Sequence, residues 1–225
     1  MRHFGPDAEC HRTRVKICGI TRQEDARSAS VLGADAIGVV FAASPRRVDP
    51  QAAPDLLQAA GPSVARVGVF ADQPLGLIRE VARAVRLDWV QLSGSEPRET
   101  AAGIDVSVIK AVHVERPEDI EVHSSYPADC FLLDAPTVGG RLGGTGMPFA
   151  WELGERLPWD RRRVIVAGGL TAENVGVVID RLHPAAVDVS SGVEAEPGIK
   201  DPAKIEAFIA AVAAADDRRR SGKEP

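Results

Sequence analysis

The sequence predicts an α/β fold, a single closed (β/α)8 barrel of the TIM type, and three observations carry the prediction. Short apolar, β-branched runs recur on the order of two dozen residues apart, the spacing a strand–helix unit needs. Most intervals between them show helical periodicity. The runs are apolar on both faces, as the strands of a parallel sheet are. Eight such units fit a 225-residue chain as a closed barrel, with a doubly wound open sheet as the second architecture.

In order, the candidate strands are "VKIC" (15–18), "AIGVVF" (36–41), "VARVGVF" (64–70), "WVQL" (89–92), "VSVIKAV" (106–112), "CFLLD" (130–134), "RVIVAGG" (163–169) and "AVDVSSG" (186–192). Helical segments between and after them include "QEDARSASVLG", "QAAPDLLQAAG", "LGLIREVARAV", "AENVGVVIDRL" and "DPAKIEAFIAAVAAA". Gly33 and Gly61 follow helix ends, while Thr21, Thr171 and Asp201 precede helix starts as caps. The barrel is expected over residues 15–215. Residues 1–14 read as a flexible N-terminal extension and 216–225, "DDRRRSGKEP", as a charged, solvated tail.

Composition narrows the function. A content of 44% hydrophobic residues suits a packed domain. No apolar run has the roughly 20 residues that span a bilayer, and the N-terminus lacks the apolar stretch of a signal peptide. A cytoplasmic protein without a membrane partner is expected. A net charge of −5 with no basic cluster in the body argues against nucleic acid. Cys10, Cys18 and Cys130 are odd in number and lack CxxC spacing, which points away from disulfides and from a metal site.

In such a barrel the last residues of each strand line the active-site mouth. The loops "AGGLTAENV" and "VDVSSGVE" close the last two units, where barrels commonly hold phosphate. Gly168, Gly169, Ser190, Ser191 and Gly192 let backbone N–H groups approach an anion, although the same residues also make tight turns. The run "GGRLGGTG" lacks the Gly-Lys-Ser/Thr ending of a P-loop and reads as a mobile lid after the sixth strand. Cys18 ends the first strand. It is either a small buried hydrophobe or a thiol base that Arg46, on the neighbouring strand's loop, helps to ionise. Asp134, after four apolar or sulfur-bearing residues, is either a turn cap or a carboxyl in a partly dry pocket able to donate a proton. Strands one and six flank seven and eight around the ring, so a phosphate held by the last two loops would place a small sugar between Cys18 and Asp134. Gln91 and Ser93, the polar end of "DWVQLSG", face the same mouth.

The ordered set "KICGIT", "GVVFAASPR", "RVGVF", "VQLSG", "LLDAP", "GGTG", "AGGLTAENV" and "VDVSSGVE" followed by "PGIKD" resembles the phosphoribosylanthranilate isomerases of tryptophan biosynthesis, from about Val15 to about Ala210. The resemblance implies an Amadori rearrangement of an aminoaldose phosphate to an aminoketose phosphate, without metal or organic cofactor. It implies Asp134 as the acid that opens the furanose ring and Cys18 as the base at C2. It further implies Arg46 as the holder of the anthranilate carboxylate, in a monomer or homodimer whose partner is the small-molecule substrate; Asp188 is either a support for sugar hydroxyls or a structural aspartate buried in its strand. Two departures stand out: Ser93 where relatives usually carry histidine, and Met147 where many carry lysine. Another phosphate-binding barrel isomerase, or a phosphate-binding barrel without turnover, is the competing reading. Those isomerases would favour aspartate at the first strand end or metal ligands at several strand ends.

Overall fold

The computed structural model describes residue 4 and residues 12–114, 116–134 and 157–222. Eight parallel strands close into a barrel in sequence order: β1 (Arg14–Cys18), β2 (Ala36–Val40), β3 (Ala65–Phe70), β4 (Trp89–Leu92), β5 (Ser107–His113), β6 (Cys130–Asp134), β7 (Val164–Ala167) and β8 (Ala186–Val189), with β8 pairing back onto β1. The helices that cover them are α1 (Gln23–Leu32), α2 (Ala53–Ala59), α3 (Leu75–Ala84), α4 (Arg98–Ala102), α5 (Pro117–Glu121), α6 (Val175–Leu182) and α7 (Pro202–Ser221). A small antiparallel pair, β9 (Glu194–Glu196) with β10 (Ile199–Lys200), follows β8.

The two-residue period of a strand sorts the side chains into two cores. Val90 and Leu92 of β4, Val108 and Val112 of β5, and Phe131 and Leu133 of β6 pack outward in the layer shared with the helices. Trp89, Ile109, Ala111, Cys130 and Leu132 point inward and fill the barrel. Continuing the inward alternation toward the C-terminal ends brings Gln91, Ser93, His113 and Asp134 to the mouth. On β5 this places Lys110 on the outer side. Its Nζ donates to the Gly94 carbonyl at 2.6 Å and to Glu96 Oε2 at 2.9 Å, bracing the loop after β4.

Asp201 caps α7, accepting from Ala203 N, and Gly33 closes α1 in the left-handed conformation, both as the sequence suggests. Thr21 instead donates its hydroxyl to the Gly198 carbonyl, and Asn174 rather than Thr171 stands at the start of α6. The chain ends differ from expectation more substantially. Helix α7 continues through Ser221, so residues 216–221 are helical. Asp216 is buried, accepting from Thr13 N at 2.6 Å and Thr13 Oγ1 at 2.8 Å, which ties the last helix to the approach of β1. Arg14 already belongs to β1, and Phe4 is buried in the barrel floor, edge-on to Trp89 with ring centroids 6.3 Å apart. The expected lid "GGRLGGTG" and Met147 lie outside the described residues, as does Cys10.

Candidate active site

A cavity of about 300 Å³ opens at the C-terminal mouth of the barrel. Gln91, Ser93, Asp134, Asp188, Gly168, Gly169, Ser190, Ser191 and Gly192 all line it, so nine of the eleven residues singled out in the sequence meet in one space. Cys18 and Arg46 are not in its lining.

The loops after β7 and β8 fit together at their backbones. Gly168 (φ +87°) and Gly169 (φ +57°) adopt the left-handed conformation that glycine tolerates without strain. A Cβ on Gly192 would stand 1.9 Å from the Leu170 carbonyl oxygen, so no side chain is possible there without moving one loop. Asn174 braces the first loop, accepting from Thr171 N at 2.8 Å and donating to the Gly169 carbonyl at 3.1 Å. Lys200 Nζ donates to the Ser190 carbonyl at 3.1 Å and fixes the second. The result is a rigid, small-residue wall with exposed backbone, the surface an anionic group needs.

Cys18 lies beside this cavity, 8% exposed, among Val40, Ala42 and Val69. A Cβ on Gly38 would come within 2.8 Å of Cys18 Sγ and 3.1 Å of Lys16 Cε, so the lysine and the thiol converge on the space that Gly38 leaves open. Lys16 is fully buried; its Nζ donates to Asp188 Oδ1 at 2.9 Å and to Gln91 Oε1 at 3.0 Å, and Gln91 passes the chain on to Ser93 Oγ at 3.0 Å. Burial alone would lower the Lys16 pKa, but the negative charge of Asp188 and the neighbouring Cys18 carry it above the ordinary value, and the ammonium persists. Burial pushes the Cys18 thiol up, opposed by that same ammonium.

Arg46 presents its fork to Glu194, with Nε–Oε1 at 2.7 Å and Nη2–Oε2 at 2.6 Å, and Lys200 Nζ reaches the same carboxylate at 2.8 Å. Burial works against ionising Glu194, yet the hydrogen bonds from Arg46 and Lys200 hold it down at about 2. Arg46 also passes close to the first strand's end. A Cβ on Gly19, which has φ +74°, would meet Arg46 Cδ at 2.5 Å and Ser190 Oγ at 3.0 Å.

Asp134 ends β6 with its side chain 39% exposed. His113, directly opposite in the β5–β6 register, lies with Nδ1 3.3 Å from Asp134 Oδ2. Lys16, His113, Glu194 and Lys200 are the functional candidates the sequence reading did not single out. Lys16 shares the inward-facing period of β1 with Cys18, whereas no residue of β5 was named beside His113. Among the described residues, no group of three or more His, Cys, Asp or Glu side chains could hold a metal ion.

An eight-stranded parallel barrel with a lysine, a thiol, two carboxylates and an imidazole gathered at its C-terminal mouth has the makings of a (β/α)8-barrel enzyme. Residues 15–211 match the family model described as N-(5'phosphoribosyl)anthranilate (PRA) isomerase. The N-(5'-phosphoribosyl)anthranilate isomerase of Pelobacter propionicus is 45% identical over 197 residues, 87% of this chain and 93% of that relative. The crystal structure of phosphoribosyl anthranilate isomerase from Thermotoga maritima superposes with a TM-score of 0.80 at 43% identity, covering 90% of this chain and 99% of the other. A further structure, of such an isomerase in complex with reduced 1-(o-carboxyphenylamino)-1-deoxyribulose 5-phosphate, superposes at 0.78 with 40% identity, over 90% and 99% of the two chains. The chain belongs to the N-(5'-phosphoribosyl)anthranilate isomerase family and is an isomerase of tryptophan biosynthesis.

Proposed function

We propose that this barrel converts N-(5-phosphoribosyl)anthranilate to 1-(2-carboxyphenylamino)-1-deoxyribulose 5-phosphate by general acid–base catalysis, in the cytoplasm, with Asp134 as acid and Cys18 as base. The observation that carries the reading is the placement of a carboxyl and a thiol on strands β6 and β1, on either side of the small-residue wall formed by the β7 and β8 loops. The phosphate of the substrate rests against Gly168, Gly169 and Ser190–Gly192. The ribose then lies across the mouth.

Asp134 delivers a proton to the furanose ring oxygen as the C1–O bond breaks, leaving a protonated imine between C1 and the anthranilate nitrogen. That cation acidifies the C2 hydrogen, which the Cys18 thiolate removes to give an enolamine. The C2 enol gives up its hydroxyl proton and C1 gains one, completing the ketone. A thiol whose pKa is raised by burial is a stronger base once ionised, and the neighbouring Lys16 ammonium provides the positive field in which it ionises. Asp188, held on that ammonium, faces the sugar hydroxyls together with Gln91 and Ser93. The anthranilate carboxylate is met by the guanidinium of Arg46, whose Nε and Nη2 are engaged by Glu194 and so leave Nη1 for the substrate.

The test is a fluorescence assay of purified protein with the unstable substrate generated in place. Wild type should consume it rapidly, and Cys18→Ala and Asp134→Asn should each lose about 10²–10⁴-fold in kcat, the usual contribution of one proton-transfer group. A folded wild type without turnover would refute the reading.

A further inference from the structure

The acid assigned above poses a chemical problem: Asp134 must deliver a proton in every turnover while its side chain is 39% exposed at the mouth of the barrel. Among the described residues, the mouth supplies one titratable neighbour suited to solve it. His113 is the Cα partner of Asp134 in the β5–β6 register, which sets the two residues side by side at the ends of their strands. Its Nδ1 lies 3.3 Å from Asp134 Oδ2, and it lines the same cavity while keeping 65% of its side chain in solvent.

We propose that His113 is a positioning residue that loads the general acid, holding the catalytic proton in common with Asp134 and replenishing it from solvent after each turnover. The inference rests on the assignment of Asp134 as the acid. Other groups around the imidazole fit this role. The hydrogen bond to Asp134 is the largest influence raising the His113 pKa, the Ser93 backbone at the end of β4 adds a second hydrogen bond to the protonated ring, and burial and Lys110 oppose it. Lys110 sits on the outer side of β5 with its charge answered by Glu96, and Asp188 across the cavity is answered by Lys16. Of these groups, the imidazole is the one in contact with the acid, and it is the more exposed member of the pair.

The proton count closes. Before the proton transfer the proton resides on the imidazolium, and Cys18 acts from its thiolate form, having given its own proton to solvent. As substrate excludes water, the proton passes from His113 Nδ1 to Asp134 Oδ2 and on to the ring oxygen when the C1–O bond breaks. Cys18 takes one proton from C2, and the enolamine exchanges its hydroxyl proton for one at C1. Afterwards the thiol returns its proton to solvent and the imidazole takes one up, restoring the starting state.

The experiment compares single-turnover rates of wild type, His113→Gln and His113→Ala across the neutral and alkaline range. It adds NMR titration of the His113 imidazole in wild type and in Asp134→Asn. The shared proton is present below the raised imidazole pKa and lost as pH climbs through it. Because carboxylic acids in general ionise several pH units below imidazoles, removing the ring should pull the alkaline limb of the rate to lower pH. Both variants should lose at least about tenfold in rate with KM unchanged. Added imidazole should restore His113→Ala, and the imidazole titration should fall in Asp134→Asn. Rates and pH profiles of the variants within about twofold of wild type, or a loss confined to KM, would overturn the relay while leaving the isomerase intact. A wild type without turnover would remove the isomerase reading and the relay together.

Discussion

The two sides of the barrel mouth are built on opposite physical principles. On the β8–β1 side the charges of Lys16, Asp188, Glu194 and Lys200 are buried and answered by one another, with Arg46 completing the set. On the β5–β6 side, His113 and Asp134 make a single pair in contact with water. The buried side fixes a field around the thiol; the open side keeps its pair in contact with water. An isomerisation that needs a strong base at one carbon and a renewable proton at an oxygen is served by that division.

The division is broken most severely from the buried side. Replacing Lys16 with Met leaves Asp188 as an uncompensated buried charge, and the expected loss of stability is about 3–5 kcal/mol. It is measured by denaturant unfolding, and a loss under about 1 kcal/mol would mean that the network is not a closed set of pairs. Gly192→Ala comes next. Its methyl group cannot coexist with the Leu170 carbonyl, so the β7 and β8 loops must separate, at a cost of roughly 1–3 kcal/mol and with a raised KM for the phosphorylated substrate. An unchanged KM would place the phosphate elsewhere.

A third prediction concerns acid. Glu194 is held at about 2 in the folded chain, below its ordinary value of 4.5. Its contribution to stability is therefore full above the unfolded value and is lost as pH falls from there through about 2. Glu194→Gln should flatten the pH dependence of unfolding free energy across that window and leave the slope near neutrality alone. The smallest structural effect belongs to the open side, where His113→Ala should change stability by no more than about 0.5 kcal/mol. Thermal unfolding checks this, and a large loss would show that the pair is structural.

How far the sequence could be read follows from the same physics. The barrel was legible because each strand and helix carries its own period. The strand ends named from that pattern do converge on one cavity, apart from Cys18 and Arg46 beside it. His113 was missed because β5 runs past the apolar stretch in which the strand was read, and the inward-facing position at its end lies beyond Lys110, which turns outward to Glu96. Lys16 is concealed inside "VKIC", where a lysine among apolar residues gives no sign of its partner 172 positions away. The Arg46–Glu194 pair, 148 residues apart, is likewise a product of ring closure with no local signature. Residues 216–221 were read from charge alone, whereas Asp216 is drawn into the structure by Thr13.

The most direct test of the division of labour is the isotope effect of substrate deuterated at C2, measured in single turnovers of two variants. Cys18→Ser weakens the base, so proton abstraction should limit the rate and a full primary isotope effect should appear. Asp134→Asn removes the acid, so ring opening should limit the rate and the isotope effect should vanish. The reverse pattern, or equal isotope effects in both variants, would contradict the assignment of base and acid to the two sides of the mouth.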